Sequence, residues 1–89
     1  MSIDYVQIHE IINQFRKMDC FSTEEVVKLD NLFKSKTVKT DLLFRRKYIK
    51  IGDFYDCLSV FFGSLDKKIP VYVFDIINHN LKKAYSINN

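Results

Sequence analysis

His9, His79, Cys20 and Cys57 are the four side chains of the usual soft metal-ligand and nucleophile types in this chain of 89 residues. A zinc-type site needs three or four such ligands gathered at ligand spacing. Here they are scattered, so no metal or cofactor is expected. The two cysteines share no motif spacing, which reads as reduced thiols in a reducing compartment. Cys57 falls on the apolar stripe of a predicted helix and is expected to be inert packing. Glu24 and Glu25 could form an acid–base pair, but "FSTEEVV" explains them better as a capping box. In that motif Ser22 is the N-cap, Glu25 follows three residues on, and the acids lie where the helix dipole favours them. There is neither a Gly-rich phosphate loop nor a nucleophile elbow. An enzyme is not expected.

The other chemistry available is electrostatic. Residues 34–50 carry seven bases (Lys34, Lys36, Lys39, Arg45, Arg46, Lys47 and Lys50) against one acid, Asp41, whereas residues 1–33 carry six acids and three bases. The basic stretch could meet phosphate, with Lys36, Lys39, Arg45, Arg46 and Lys47 as the DNA-proximal candidates. Read as a helix-turn-helix, residues 22–35 and 38–44 would supply two helices, and a small DNA-binding regulator is the alternative function. A recognition helix, however, needs polar base-reading side chains, and "TDLLFRR" supplies few. Strong direct DNA binding is therefore not expected. The acidic N-terminal third suits a basic protein surface.

The elements that would position these groups read as helices. Hydrophobic residues make up 47% of the chain, with two glycines and one proline, too little punctuation for an all-β fold. A first helix is predicted over Ser2–Met18, with Tyr5, Ile8, Ile11, Ile12, Phe15 and Met18 inward and Ile3 and Val6 on a second apolar face beside Glu10, Asn13 and Lys17. A second runs from Ser22 to about Lys34–Lys36, with Phe21 and Val26 as a staple and Val26, Leu29, Leu32 and Phe33 as its stripe. A short third helix is predicted over 38–44, then an extended "RRKYIKIG". A fourth is predicted over 54–63, capped by Asp53, burying Phe54, Cys57, Leu58 and Phe61 and ending at Gly63. A last helix is predicted over Pro70–Tyr85, with Val73, Phe74, Ile77, Leu81 and Ala84 inward and Tyr72, Ile76 and Lys83 opposite. The expectation is one all-α domain over 1–89, compact, of five to six short helices. The N-terminus lacks a basic start followed by an apolar run, so no secretory leader is expected. No stretch approaches the ~20 apolar residues of a membrane span, so no membrane partner is expected.

The order of these features resembles the AsiA-type anti-sigma factors of T-even-type bacteriophages. The matching stretches are Glu10–Ile12, Phe21–Val27, Arg46–Lys47, Phe54 with Ser59, and Asp66–Lys68 followed by Phe74. Pro70, Lys17 and the doubled Arg45–Arg46 depart from the family pattern. The wealth of Ile, Lys, Phe, Asn and Tyr beside the single Ala84 suits an A/T-rich phage gene. The resemblance implies an all-helical early protein in the host cell cytoplasm. It implies a homodimer when free, exchanged for a complex with region 4 of the host RNA polymerase primary sigma factor. That region reads the −35 element and docks on the polymerase β flap; binding inhibits host promoter recognition and, with a MotA-like activator, turns on middle transcription. Carried onto this chain, the sigma contacts are Ile3, Val6, Glu10, Asn13, Lys17, Phe21, Leu32 and Phe33. Polymerase or activator contacts are Tyr72, Ile76, Lys82 and Lys83.

Overall fold

The spacing of Ile8, Ile11, Ile12 and Phe15 builds a helix, but a shorter one than periodicity predicted. In the computed structural model, which describes residues 5–36 and 38–85, Tyr5–Gln7 form a strand, β1, and the first helix, α1, spans Ile8–Lys17. All four apolar residues are buried. Next come α2 (Thr23–Lys34), β2 (Val38–Asp41), β3 (Arg46–Lys50), α3 (Ile51–Ser64) and α4 (Val71–Tyr85). Among the described residues there are thus four helices and a three-stranded antiparallel sheet, a small α+β domain. The all-α expectation of five to six helices is corrected.

The correction has a local cause. The stretch predicted as a third helix, 38–44, is instead strand and turn, and the extended "RRKYIK" is its partner. Val38, Thr40, Tyr48 and Ile49 are β-branched or aromatic and favour a pleated surface. β3 is central, in the order β1-β3-β2, with Val6 opposite Ile49 on one side and Lys39 opposite Tyr48 on the other. The loop 42–45 follows the last pair, Asp41 with Arg46. The Asp41 carboxylate accepts from the Leu43 N–H at 2.9 Å and opens the turn. Arg45 closes it at φ 56°, a left-handed conformation that costs a non-glycine residue about 1–2 kcal/mol. Glycine relieves that strain but adds about 0.4–1 kcal/mol of unfolded-state entropy. Arg45→Gly is therefore expected to stabilise the protein by roughly 0.5–1 kcal/mol in denaturant titration. Destabilisation would argue against this turn.

The capping box forms as predicted. Ser22 Oγ accepts from the Glu25 N–H at 3.1 Å, and Glu25 Oε1 accepts from the Ser22 N–H at 2.9 Å. Ser22→Ala is expected to cost about 1 kcal/mol, read as a lowered midpoint of chemical unfolding. Phe21 and Val26, the predicted staple, are both buried. α3 starts at Ile51 rather than at an Asp53 cap, passes through Gly52 and Gly63, and ends at Ser64. Pro70 lies just before α4, where its missing donor costs nothing.

The core joins helices and sheet. Phe15 packs its ring 5.0 Å from Phe21 and 5.9 Å from Phe61, and Phe33 stacks on Phe54 at 5.5 Å. Val6 and Ile49 extend this core through the sheet, and Val73, Ile77 and Leu81 close it from α4. Phe74, predicted inward, is 42% exposed, although its ring meets Phe62 at 5.2 Å. α1 packs against α2, α4 and β3, so the polar outer face of α1 (His9, Glu10, Arg16, Lys17) is all it offers to a partner.

Candidate functional site

On its outward face α2 sets an exposed apolar side chain between two hollows. Its stripe of Val26, Leu29 and Phe33 is buried, leaving Thr23, Glu24, Val27, Lys28, Asn31 and Ser35 outside. Val27 is 49% exposed at the centre. Two hollows meet at it. One, of about 410 Å³, is lined by Glu24, Val27, Lys28, Asn31, Leu32 and Ser35. The other, of about 290 Å³, is lined by Arg16, Phe21, Thr23, Val26 and Val27.

The charges around it are mostly committed. Lys67 donates to Glu25 Oε1 at 2.8 Å and to the Cys20 carbonyl, and stands 5.2 Å over the Phe21 ring. That ammonium, with the Ser22 N–H, holds the Glu25 carboxyl below its ordinary value. Lys67→Met is expected to raise the Glu25 titration midpoint by NMR. The lowered value also fixes a sign: any stability from this pair is present above pH 4.5, the ordinary Glu value, and is lost as pH falls through the folded one. Lys28 donates to Ser64 Oγ at 3.0 Å, tying α2 to α3, and Lys34 pairs with Asp30 at 2.9 Å. The charged groups lining the two hollows are Glu24, Lys28 and Arg16, a slight positive excess.

The sequence-predicted residues divide. Phe21 and half-buried Leu32 line the hollows flanking Val27. Glu10 and Lys17 are exposed on α1, and Asn13 is half-buried and hydrogen-bonded to His9 at 3.1 Å. Val6 and Phe33 have no exposed surface: Val6 is a sheet residue against Ile49 and Phe33 is stacked on Phe54, so neither is free to meet a partner in this conformation. Ile3 lies outside the described residues. The second apolar face expected on the first helix, from Ile3 and Val6 beside Glu10, therefore loses Val6.

At the C-terminal end, Tyr72 is 47% exposed and Ile76 packs partly against the core. Interaction with the Cys20 thiol pushes the Tyr72 hydroxyl up. Lys82 and Lys83 fall within α4, but their side chains lie outside the described residues. Lys36, Lys39, Arg45, Arg46 and Lys47 are all exposed, the last four on the β2–β3 hairpin.

Val27 was missed as a centre because it follows Val26 in an apolar pair. Its phase gives it away, since it lies four residues from both Thr23 and Asn31, in line with that polar face. Burial pushes the Cys57 thiol up, away from reactivity, and its Sγ lies 3.4 Å from the Leu32 carbonyl. Among the described residues no three His, Cys, Asp or Glu side chains are gathered as a metal site would need, and no helix is long and apolar enough to cross a membrane. The chain is thus a small α+β domain with two shallow hollows on α2 and a further one, of about 450 Å³, on the sheet between Tyr5, Lys39 and Tyr48. No family model, curated protein or solved structure matches the chain.

Proposed function

We propose that this protein regulates bacterial transcription by binding region 4 of the host primary sigma factor through the α2 face centred on Val27, with Arg16 of α1, which lines one of its hollows, at the rim. The observation that carries the reading is the coincidence of two independent features in one segment. Phe21–Val27 is the longest of the stretches that resemble the anti-sigma factors, and Val27 is the half-exposed apolar centre of the concave face. A face with an apolar centre and only a slight positive excess suits a protein surface better than phosphate. On this reading the complex withholds sigma from host promoters in the host cytoplasm. Tyr72 and the end of α4 remain for the polymerase flap or a MotA-like activator. Self-association of the free protein would use the same Val27 face, so a dimer and the sigma complex would exclude each other.

The test is calorimetric titration of the full chain with isolated sigma region 4. Binding with a 1:1 end point is expected, over an interface of about 1,200–2,000 Å². No heat and no co-migration at high micromolar concentration would reject the proposal.

A sequence-specific DNA-binding regulator is the second reading. It is favoured by one observation: α1, a turn and α2 form two successive helices followed by a basic hairpin, an order compatible with a helix-turn-helix. The helix pair is α1–α2, not the 22–35 and 38–44 pair expected from sequence. Against it stands the α2 face, where Glu24 offsets Lys28. Submicromolar, sequence-selective binding of naked promoter DNA would favour this second reading.

A further inference from the structure

The apex of the β2–β3 hairpin carries three consecutive apolar side chains that the fold leaves in solvent: Leu42 88% exposed, Leu43 80% and Phe44 61%. Isolated exposed apolar residues need no explanation, but three in a row at the tip of a ribbon do. Cations lie on both strands behind them, Lys39 on β2 and Arg46 and Lys47 on β3. Among the described residues none of these three reaches a carboxylate as an ion pair; the pairs formed are Lys34–Asp30 and Lys67–Glu25. The hairpin's one acid, Asp41, turns its carboxylate to the Leu43 N–H and so shapes the loop.

We infer that this hairpin is a sequence-tolerant clamp on duplex DNA, with the Leu42–Phe44 apex as a wedge at the minor groove and Lys39, Arg46 and Lys47 on the flanking phosphates. Two features favour DNA among anionic partners. The cations straddle the apex on two strands, as phosphates flank a groove about 6 Å wide, where apolar wedges such as Leu and Phe enter between base steps. The apex is held in shape by the Asp41 turn and by the Arg46 guanidinium 4.9 Å over the Phe44 ring, and a wedge must be stiff. An anionic bilayer could also take an apolar tip beside a basic patch, but it needs no such stiffness, and vesicles are therefore the opposing arm of the test. The hairpin lies outside the α2 face, so the inference does not rest on the sigma reading.

The experiment titrates the full chain into short labelled duplexes and follows fluorescence anisotropy. Salt-sensitive binding with a dissociation constant of roughly 10⁻⁶–10⁻⁴ M is expected. Lys47→Gln is expected to lower the salt slope by about one. Leu43→Ser is expected to weaken binding on the order of tenfold with the slope unchanged. Both side chains are exposed, and melting curves matching the native protein establish that the variants are folded. Absence of duplex binding by the native protein, or binding that neither variant alters, would overturn the inference. So would Leu43-dependent sedimentation with phosphatidylglycerol vesicles in a protein that ignores duplex.

Discussion

Val6→Asp is expected to leave the chain unfolded at room temperature. Val6 has no exposed surface; it sits in the three-residue strand β1, opposite Ile49 of the central strand. Its side chain belongs to the same core as Phe15 and Val73. A carboxylate placed there loses its water, and among the described residues no buried cation stands ready to meet it. The effective penalty for an uncompensated buried charge is several kcal/mol. A domain of this size has a total stability of only about 5–15 kcal/mol and belongs toward the lower end. The measurement is far-UV circular dichroism with thermal melting. Glu10→Gln, an exposed change in the first turn of α1, serves as the control and should move stability by no more than about 1 kcal/mol. The experiment also discriminates between folds. In an all-helical chain Val6 lies on the outer face of the first helix, where aspartate is tolerated. A folded Val6→Asp protein with a native-like melt would therefore remove β1.

The same residue marks where the sequence stopped being readable. Val6 is in helical phase with Glu10 and Asn13, and three residues are too few for a period of two to stand out against a period of 3.6. The hairpin was hidden for a different reason. A tight β-hairpin usually announces itself by glycine or asparagine at its left-handed position, and here Arg45 occupies that position. The remaining signal is Asp41 opening the turn, and it reads equally well as a helical residue. Elements with strong local grammar were legible: the Ser22–Glu25 capping box, the Ile8–Phe15 stripe, and the Phe54, Cys57, Leu58 and Phe61 face of α3. The site was half legible. Phe21 and Leu32 were named and flank the candidate face, but Phe33 was named for it and is core. Adjacent apolar residues on a helix differ by 100° in direction, and only a known packing partner decides which of them turns inward.

Val27→Asp is expected to weaken sigma region 4 binding by at least about thirtyfold, the effect of losing one central hot spot. Val27 is half-exposed between the two hollows, so in a complex its side chain becomes the buried centre, while in the free protein aspartate there keeps its water. The fold should survive, because the α2 stripe of Val26, Leu29 and Phe33 is untouched and exposed helix positions tolerate substitution. The loss should be in the dissociation rate, since a desolvated central charge shortens the life of the complex rather than slowing encounter. Glu24→Lys on the same face gives the contrast: a rim charge alters association and its salt dependence, with a smaller change in affinity. Leu43→Ser on the hairpin should leave the affinity for isolated region 4 unchanged, because that apex is a separate surface. The three variants are compared by surface plasmon resonance against immobilised region 4, with melting curves alongside. A folded Val27→Asp protein that binds region 4 as tightly as the native chain would move the interface off α2. Equal losses from Val27→Asp and Leu43→Ser would mean that the two surfaces act as one.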